Sequence, residues 1–311
     1  MTESPYFPAV RRVTRSSIPN EGNVQAIKRK NVPSKVPIKK EKIEISYEGP
    51  STLVHIKQDP DIQNVESTKV KKEPLLWHEQ LMNIQEMRKF ADAPVDSMGC
   101  DVISDERACP EVYRYQVLVS LMLSSQTKDQ VTSAAMTKLR AHGCNISNIL
   151  STPDEKLGEL IYPVGFWKRK VEYIKKTSKI LQEKYNEDIP DSVEGLCKLP
   201  GVGPKMAYLA MKCAWGQVVG IGVDTHVHRI SNRLGWVKTK QPEDTRKALE
   251  DWLPREHWSS INHLLVGFGQ QICTPVGPKC VGCLNNTICP VGKSEMRSPN
   301  KKLKVEKKEE T

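Results

Sequence analysis

The sequence predicts an all-α protein across residues 77–290, on three observations. Apolar residues recur there at three- and four-residue spacing, the period of one helix face. Strand-like alternation is almost absent. Asp, Ser, Pro and Gly stand where helices start and stop. In chain order, Tyr113, Val117, Leu121 and Met122 form a first apolar stripe, ended by the polar run Ser124-Ser125-Gln126-Thr127. Asp129 reads as the cap of a helix carrying Val131, Ala134, Ala135 and Leu139. Val171, Ile174, Ile180 and Leu181 recur under a Lys-rich outer face. Asp191 and Glu194 have capping-box spacing ahead of Val193, Leu196 and Leu199. Later helices are expected over 225–234, closed by Gly235, and over 242–253 and 261–266. The expected total is roughly ten short helices.

The chain of 311 residues carries a net charge of +10, unevenly spread. Residues 1–75 hold 14 Lys and Arg against 9 acids, and residues 293–311 hold 7 against 4. The middle, with 26 against 24, is almost neutral, so any anion site there must be a local patch. The N-terminal 75 residues are poor in aromatics, rich in Lys, Pro, Ser and Glu, and without period, which reads as a disordered basic tail. Lys28-Arg29-Lys30 and Lys301-Lys302-Leu303-Lys304 match short basic import signals, and Arg11, Arg12 and Arg15 permit a mitochondrial reading. Tetrapeptides around Lys39, Lys57, Lys71 and Lys304 match the apolar-Lys-x-acid acceptor of small-modifier conjugation. No apolar run is long enough to span a membrane.

Leu199-Pro200-Gly201-Val202-Gly203 separates two expected helices, and Pro204 opens the second where a missing N–H costs nothing. Its glycines permit positive φ and close backbone approach, and a helix start beyond them offers N–H groups to a phosphate. An ordinary αα-hairpin turn explains the same residues. Lys205 then falls at about the second helical position, where the dipole disfavours a cation, and a neutral amine is what nucleophilic lysine chemistry requires. Pairing with the same phosphate is the alternative role. Asp224 follows 19 residues later in Val223-Asp224-Thr225-His226, as an N-cap, a cleft carboxylate or both.

Cys273, Cys280, Cys283 and Cys289 have the spacing C-x6-C-x2-C-x5-C, while the other five cysteines are scattered and no secretory signal pattern precedes them. Four thiols in one short loop read as metal ligands. A single short knuckle with looser arms suits an iron–sulfur cage better than zinc, and on spacing alone both stay open. Cys197 and Cys213 read as core residues on apolar helical faces.

With hairpin, lysine, aspartate and cysteine loop in this order, the chain resembles the endonuclease III family of DNA glycosylases, in the helix-hairpin-helix superfamily. The resemblance runs from about residue 77 to 292 through 121–127, 199–207, 223–233 and 267–273. Phrases such as Tyr162-Pro163-Val164-Gly165-Phe166-Trp167 look like the eukaryotic branch, and Met206 departs from the threonine usual in bacterial members. The resemblance implies two helical subdomains with a DNA-binding cleft between them. A six-helix domain would occupy about 107–217, and an iron–sulfur domain about 76–106 plus 218–292. Tails would occupy 1–75 and 293–311.

It implies a bifunctional DNA glycosylase and AP lyase that removes oxidised pyrimidines from damaged double-stranded DNA and nicks the strand by β-elimination. Lys205 would be the nucleophile, Asp224 the catalytic carboxylate, and the four cysteines the ligands of a 4Fe-4S cluster. Gln126 would enter the space left by the flipped base and Phe166 would wedge the opposite strand. Gly201, Val202, Gly203 and Lys279 would meet phosphates. A monomer in the nucleus, and also in the mitochondrion, is the expected setting. The alternatives are an adenine-mispair glycosylase, which generally lacks this lysine, and a non-enzymatic helix-hairpin-helix protein with zinc in the cysteine loop.

Overall fold

The computed structural model describes residues 73–297. The readings of tail disorder, import signals and conjugation lysines on 1–72 and 298–311 lie outside the described residues. Among the described residues there are thirteen α-helices and no strand. They are α1 (Trp77–Met87), α2 (Pro94–Met98), α3 (Pro110–Ser124), α4 (Asp129–His142), α5 (Ile146–Ser151), α6 (Asp154–Ile161) and α7 (Trp167–Lys184). There follow α8 (Val193–Cys197), α9 (Pro204–Trp215), α10 (Thr225–Leu234), α11 (Pro242–Trp252), α12 (Trp258–Gln271) and α13 (Pro290–Arg297). None is long and apolar enough to cross a membrane.

Two cores organise these helices. The first gathers apolar residues of α3 to α9 around α3, whose residues 115–123 are all buried, as befits a helix apolar on every side. The second joins Leu81 and Ile84 of α1 to Val227, Ile230 and Leu234 of α10, Leu249 of α11 and Ile261, Leu265 and Phe268 of α12. Each fully buried Leu, Ile or Phe contributes about 1.5–3 kcal/mol relative to exposure. The short helix α2 packs against both α4 and α12, with Ala93 and Val95 beside Val266.

Several local expectations need correction. Thirteen helices replace the expected ten because α2, α5, α6 and α13 are only five to eight residues long, too short to declare a period. Asp129 is not the cap of α4. The helix is already under way there, with Lys128 at the cap position, and the Asp129 carboxylate accepts from Gln270 Nε2 at 2.7 Å. Ser192, not Asp191, caps α8, its Oγ accepting from Gly195 N at 3.3 Å. Order also persists past residue 292: Pro290 starts α13, and Lys293 N donates to Cys289 O at 2.9 Å. Gly292 there sits so close to Asn286 that a Cβ would come within 2.8 Å of its carbonyl oxygen.

Polar ties fasten α2 to the second core. Asp96 pairs with the buried Arg88 guanidinium and lies 2.8 Å from His263 Nε2. Burial works against the Asp96 carboxylate, but hydrogen bonds from Arg88 and His263 hold it below the usual value. Breaking such a buried pair costs about 3–5 kcal/mol, against 0–1 for an exposed one such as Lys156–Glu159. His263 is raised above the usual imidazole value by its hydrogen bond to Asp101, opposed by burial and aided by Asp96. A raised folded-state pKa stabilises the fold fully below the unfolded value of 6.5, and the gain disappears as pH rises through the folded value. The denaturation midpoint is therefore expected to fall as pH rises from 6.5 upward, with His263→Gln flattening that slope. An unchanged slope in the variant would assign it to other groups.

Candidate functional site

The turn between α8 and α9 is closed by Val202 N donating to Leu199 O at 3.1 Å, and α9 begins with Ala207 N donating to Gly203 O at 3.0 Å. Gly201 has φ 79°, and a Cβ there would lie 2.6 Å from the Tyr173 ring, so this position demands glycine on two counts. Gly203 differs from the sequence reading. Its φ is −108°, and no atom lies within 4 Å of where its Cβ would be. The backbone there makes no demand for glycine, and the missing side chain leaves open space. Val202 is buried in the first core, so it can offer an outside partner only its backbone. Pro204 and Lys205 are the first two residues of α9, where a helix's first N–H groups have no partner within the helix.

Beside this turn opens a cleft of about 960 Å³. Its wall includes Lys205 and Asp224 together with Gln126, Asp129, Tyr208, His226, Asn262 and Gln270. Chain spacing could not decide whether Lys205 and Asp224 share a site. Both line this one. Lys205 is half-buried, and so is Asp224, which also caps α10, with Oδ1 accepting from Val227 N at 2.8 Å. The cap and the cleft roles thus coexist, since one carboxylate oxygen holds the helix end while the residue faces the cavity. Burial lowers His226 below the usual imidazole value, against the pull of the Asp224 carboxylate.

Gln126 and Phe166 occupy neighbouring turns. Both have left-handed backbones, φ 50° and 55°, and Phe166 is 65% exposed. Gln126 lines the cleft, whereas Phe166 and the three turn residues do not form part of that wall. Cys213 is half-buried and packs against the first core, as its reading has it, whereas Cys197 is exposed, contrary to its reading as a core residue. The Cys213 thiol is a hydrogen-bond partner of Cys100, which itself lines the cleft.

Cys273, Cys280, Cys283 and Cys289 line a second, much smaller cavity of about 30 Å³. Burial pushes the Cys283 thiol up to about 11, with its three companions adding to the effect. Arg233 on α10 frames them: its Nη1 donates to Cys273 Sγ at 3.3 Å, and its carbonyl accepts from Cys289 Sγ at 3.3 Å. Among the described residues no three His, Cys, Asp or Glu side chains converge closely enough to hold one metal ion. Four cysteine thiols lining one cavity are the donor set that an iron–sulfur cluster takes, and zinc accepts the same four thiolates. Lys279 is exposed at the rim of this cavity and lines no part of the Lys205 cleft.

Sequence reasoning missed His226, Tyr208, Asn262 and Arg233, and it assigned no role to Gln270. His226 and Arg233 left a signal within the motif 223–233 and Gln270 within 267–273, whereas Tyr208 and Asn262 left none; Gln270 Nε2 donates across the cleft to Asp129, 141 residues away in the chain.

A family model described as HhH-GPD superfamily base excision DNA repair protein matches residues 119–255. Endonuclease III-like protein 1 of Gallus gallus is 63% identical over 230 residues, covering 73% of this chain and 82% of that protein. Endonuclease III-like protein 1 of Mus musculus is 63% identical over 220 residues, covering 70% and 73%. Among solved structures, a trapped endonuclease III–DNA covalent intermediate superposes with a TM-score of 0.60 at 30% identity, over 71% of this chain and 98% of that one.

Proposed function

Because the chain belongs to the endonuclease III family and is a base-excision DNA glycosylase, we propose that Lys205 is its nucleophile and Asp224 its catalytic carboxylate. The observation that carries this reading is the placement of both side chains on the wall of one cleft beside a helix N-terminus. A base stacked in a duplex hides its sugar carbon, so the damaged nucleotide is first turned out into the cleft. Phosphates flanking it rest on the backbone of Gly201, Val202 and Gly203.

The Lys205 Nζ lone pair then attacks C1′ while the glycosidic bond breaks and the base leaves with the bonding electrons. Asp224 faces the positive charge that grows on the sugar and takes up the proton the amine sheds. The secondary amine opens the sugar to a Schiff base. That cation acidifies the C2′ proton, whose loss expels the 3′ phosphate oxygen and nicks the strand. One amine therefore serves both steps, and oxidised pyrimidines are its substrate class. A product with an unsaturated sugar at the nick supports this reading; release of the base with an intact strand would replace it with a monofunctional one.

The four cysteines would hold a 4Fe-4S cluster, whose ligation would tie residues 273–289 together and with them Lys279 at the surface. With all four protein ligands thiolates, the cluster leaves the bond-breaking to Lys205. Purified protein is expected to be yellow-brown with about four irons per chain, and Cys280→Ser to lose iron and thermal stability together. Stoichiometric zinc in a colourless preparation would contradict it.

A nuclear location with a mitochondrial share is part of the same proposal, as are a monomeric state and conjugation on the tails. These rest on the tail sequences and on family membership.

A further inference from the structure

Lys170 on α7 is 6% exposed, unusual for a lysine, and none of its three hydrogen-bond partners is a carboxylate. Its Nζ donates to Leu123 O and Ser125 O, both at 2.6 Å, and to Thr127 Oγ1 at 3.1 Å. The first two oxygens lie at the C-terminus of α3, where the helix dipole favours a cation. Helix capping explains those two contacts. It does not explain the third.

Thr127 Oγ1 is a joint between two turns. It accepts from Lys170 and from Gly165 N at 3.1 Å, and donates to Ser125 O at 3.1 Å. Gly165 immediately precedes Phe166, and Thr127 immediately follows Gln126. The two turns also touch directly, since a Cβ on Gly165 would lie 2.5 Å from Gln126 O. Gln126 and Phe166, both exposed and both held at positive φ, therefore project from one cross-linked unit. Left-handed backbone at non-glycine residues persists only where the surroundings enforce it.

We propose that Lys170 is a positioning residue that locks the Gln126 and Phe166 turns into a single rigid wedge for opening the duplex. The proposal rests on the reading of those two residues as DNA-inserting groups. Lys170 touches no reacting atom. It sets where the two prongs stand, and a displacement near one ångström can cost about 10²-fold in rate.

The test uses the full-length protein as Lys170→Met and, separately, Thr127→Val, which keeps the size but not the acceptor. Three signals are compared: single-turnover excision of dihydrothymine from a duplex, the fluorescence of a base analogue placed opposite the lesion, and cleavage of an abasic site in single-stranded DNA. Single-stranded cleavage needs Lys205 but no wedge. Both variants are expected to lose the fluorescence change and about 10²-fold in duplex excision, with single-stranded cleavage changed by less than about twofold. A parallel fall in duplex and single-stranded rates, or an intact fluorescence change, would overturn the role of Lys170. If Lys170→Met does not fold, Thr127→Val decides. Gln126→Ala and Phe166→Ala run alongside. If these keep the fluorescence change, the wedge reading itself fails and takes the proposal with it. If they lose it while the Lys170 and Thr127 variants keep it, Lys170 alone is overturned.

Discussion

Lys205→Gln is expected to abolish base release and strand cleavage together, each by at least about 10³-fold, the scale seen when a nucleophile is removed. The joint loss is the distinguishing feature. A lysine that merely paired with a phosphate would weaken binding and leave a residual rate recoverable at high enzyme concentration. The structure makes the variant a clean one. Lys205 is half-buried at the second position of α9, where Gln is nearly as good a helix former, so folding should be unaffected. Affinity for a duplex carrying an uncleavable abasic analogue should change by less than about tenfold, because the contacts proposed for the turn amides and Gln126 do not involve this side chain. Single-turnover excision, filter binding and a melting curve on one preparation measure all three.

Asp224→Asn is expected to slow base release by about 10²-fold, roughly 2.7 kcal/mol of transition-state stabilisation. Its melting temperature should barely move. Asn serves as an N-cap as well as Asp does, so the bond now made by Oδ1 to Val227 N at 2.8 Å survives in the variant. The substitution thereby separates the two roles that coincide at this residue. Asp224→Ala removes both, and should add a stability loss of about 1 kcal/mol to the kinetic defect. Loss of stability in both variants with no kinetic effect would reduce Asp224 to a helix cap.

What could be read from the chain follows the range of the interactions involved. Long helices such as α7 show their period within the chain itself, as Val171, Ile174 and Leu181 do. The cysteine spacing and the turn at 199–203 are likewise local, so both are legible. Asp129 was misread because it has the residue type and position of a cap, while its partner Gln270 belongs to α12. The same holds for Lys170: on an amphipathic helix with a Lys-rich outer face nothing marks the lysine that is buried. Gly201 and Gly203 look equivalent in sequence. Only the fold shows that Gly201 is required by φ and by Tyr173, whereas Gly203 leaves open space. The end of α13 escaped notice because eight residues, four of them charged or glycine, show no apolar stripe.

The central claim is that one amine, Lys205 Nζ, forms the covalent bond to DNA. Borohydride reduction during turnover on a duplex with an oxidised pyrimidine fixes that bond, and proteolysis with mass spectrometry locates it. The account predicts a single cross-linked peptide with the sugar remnant on Lys205. An adduct on any other lysine, or strand cleavage without a reducible adduct, would contradict it.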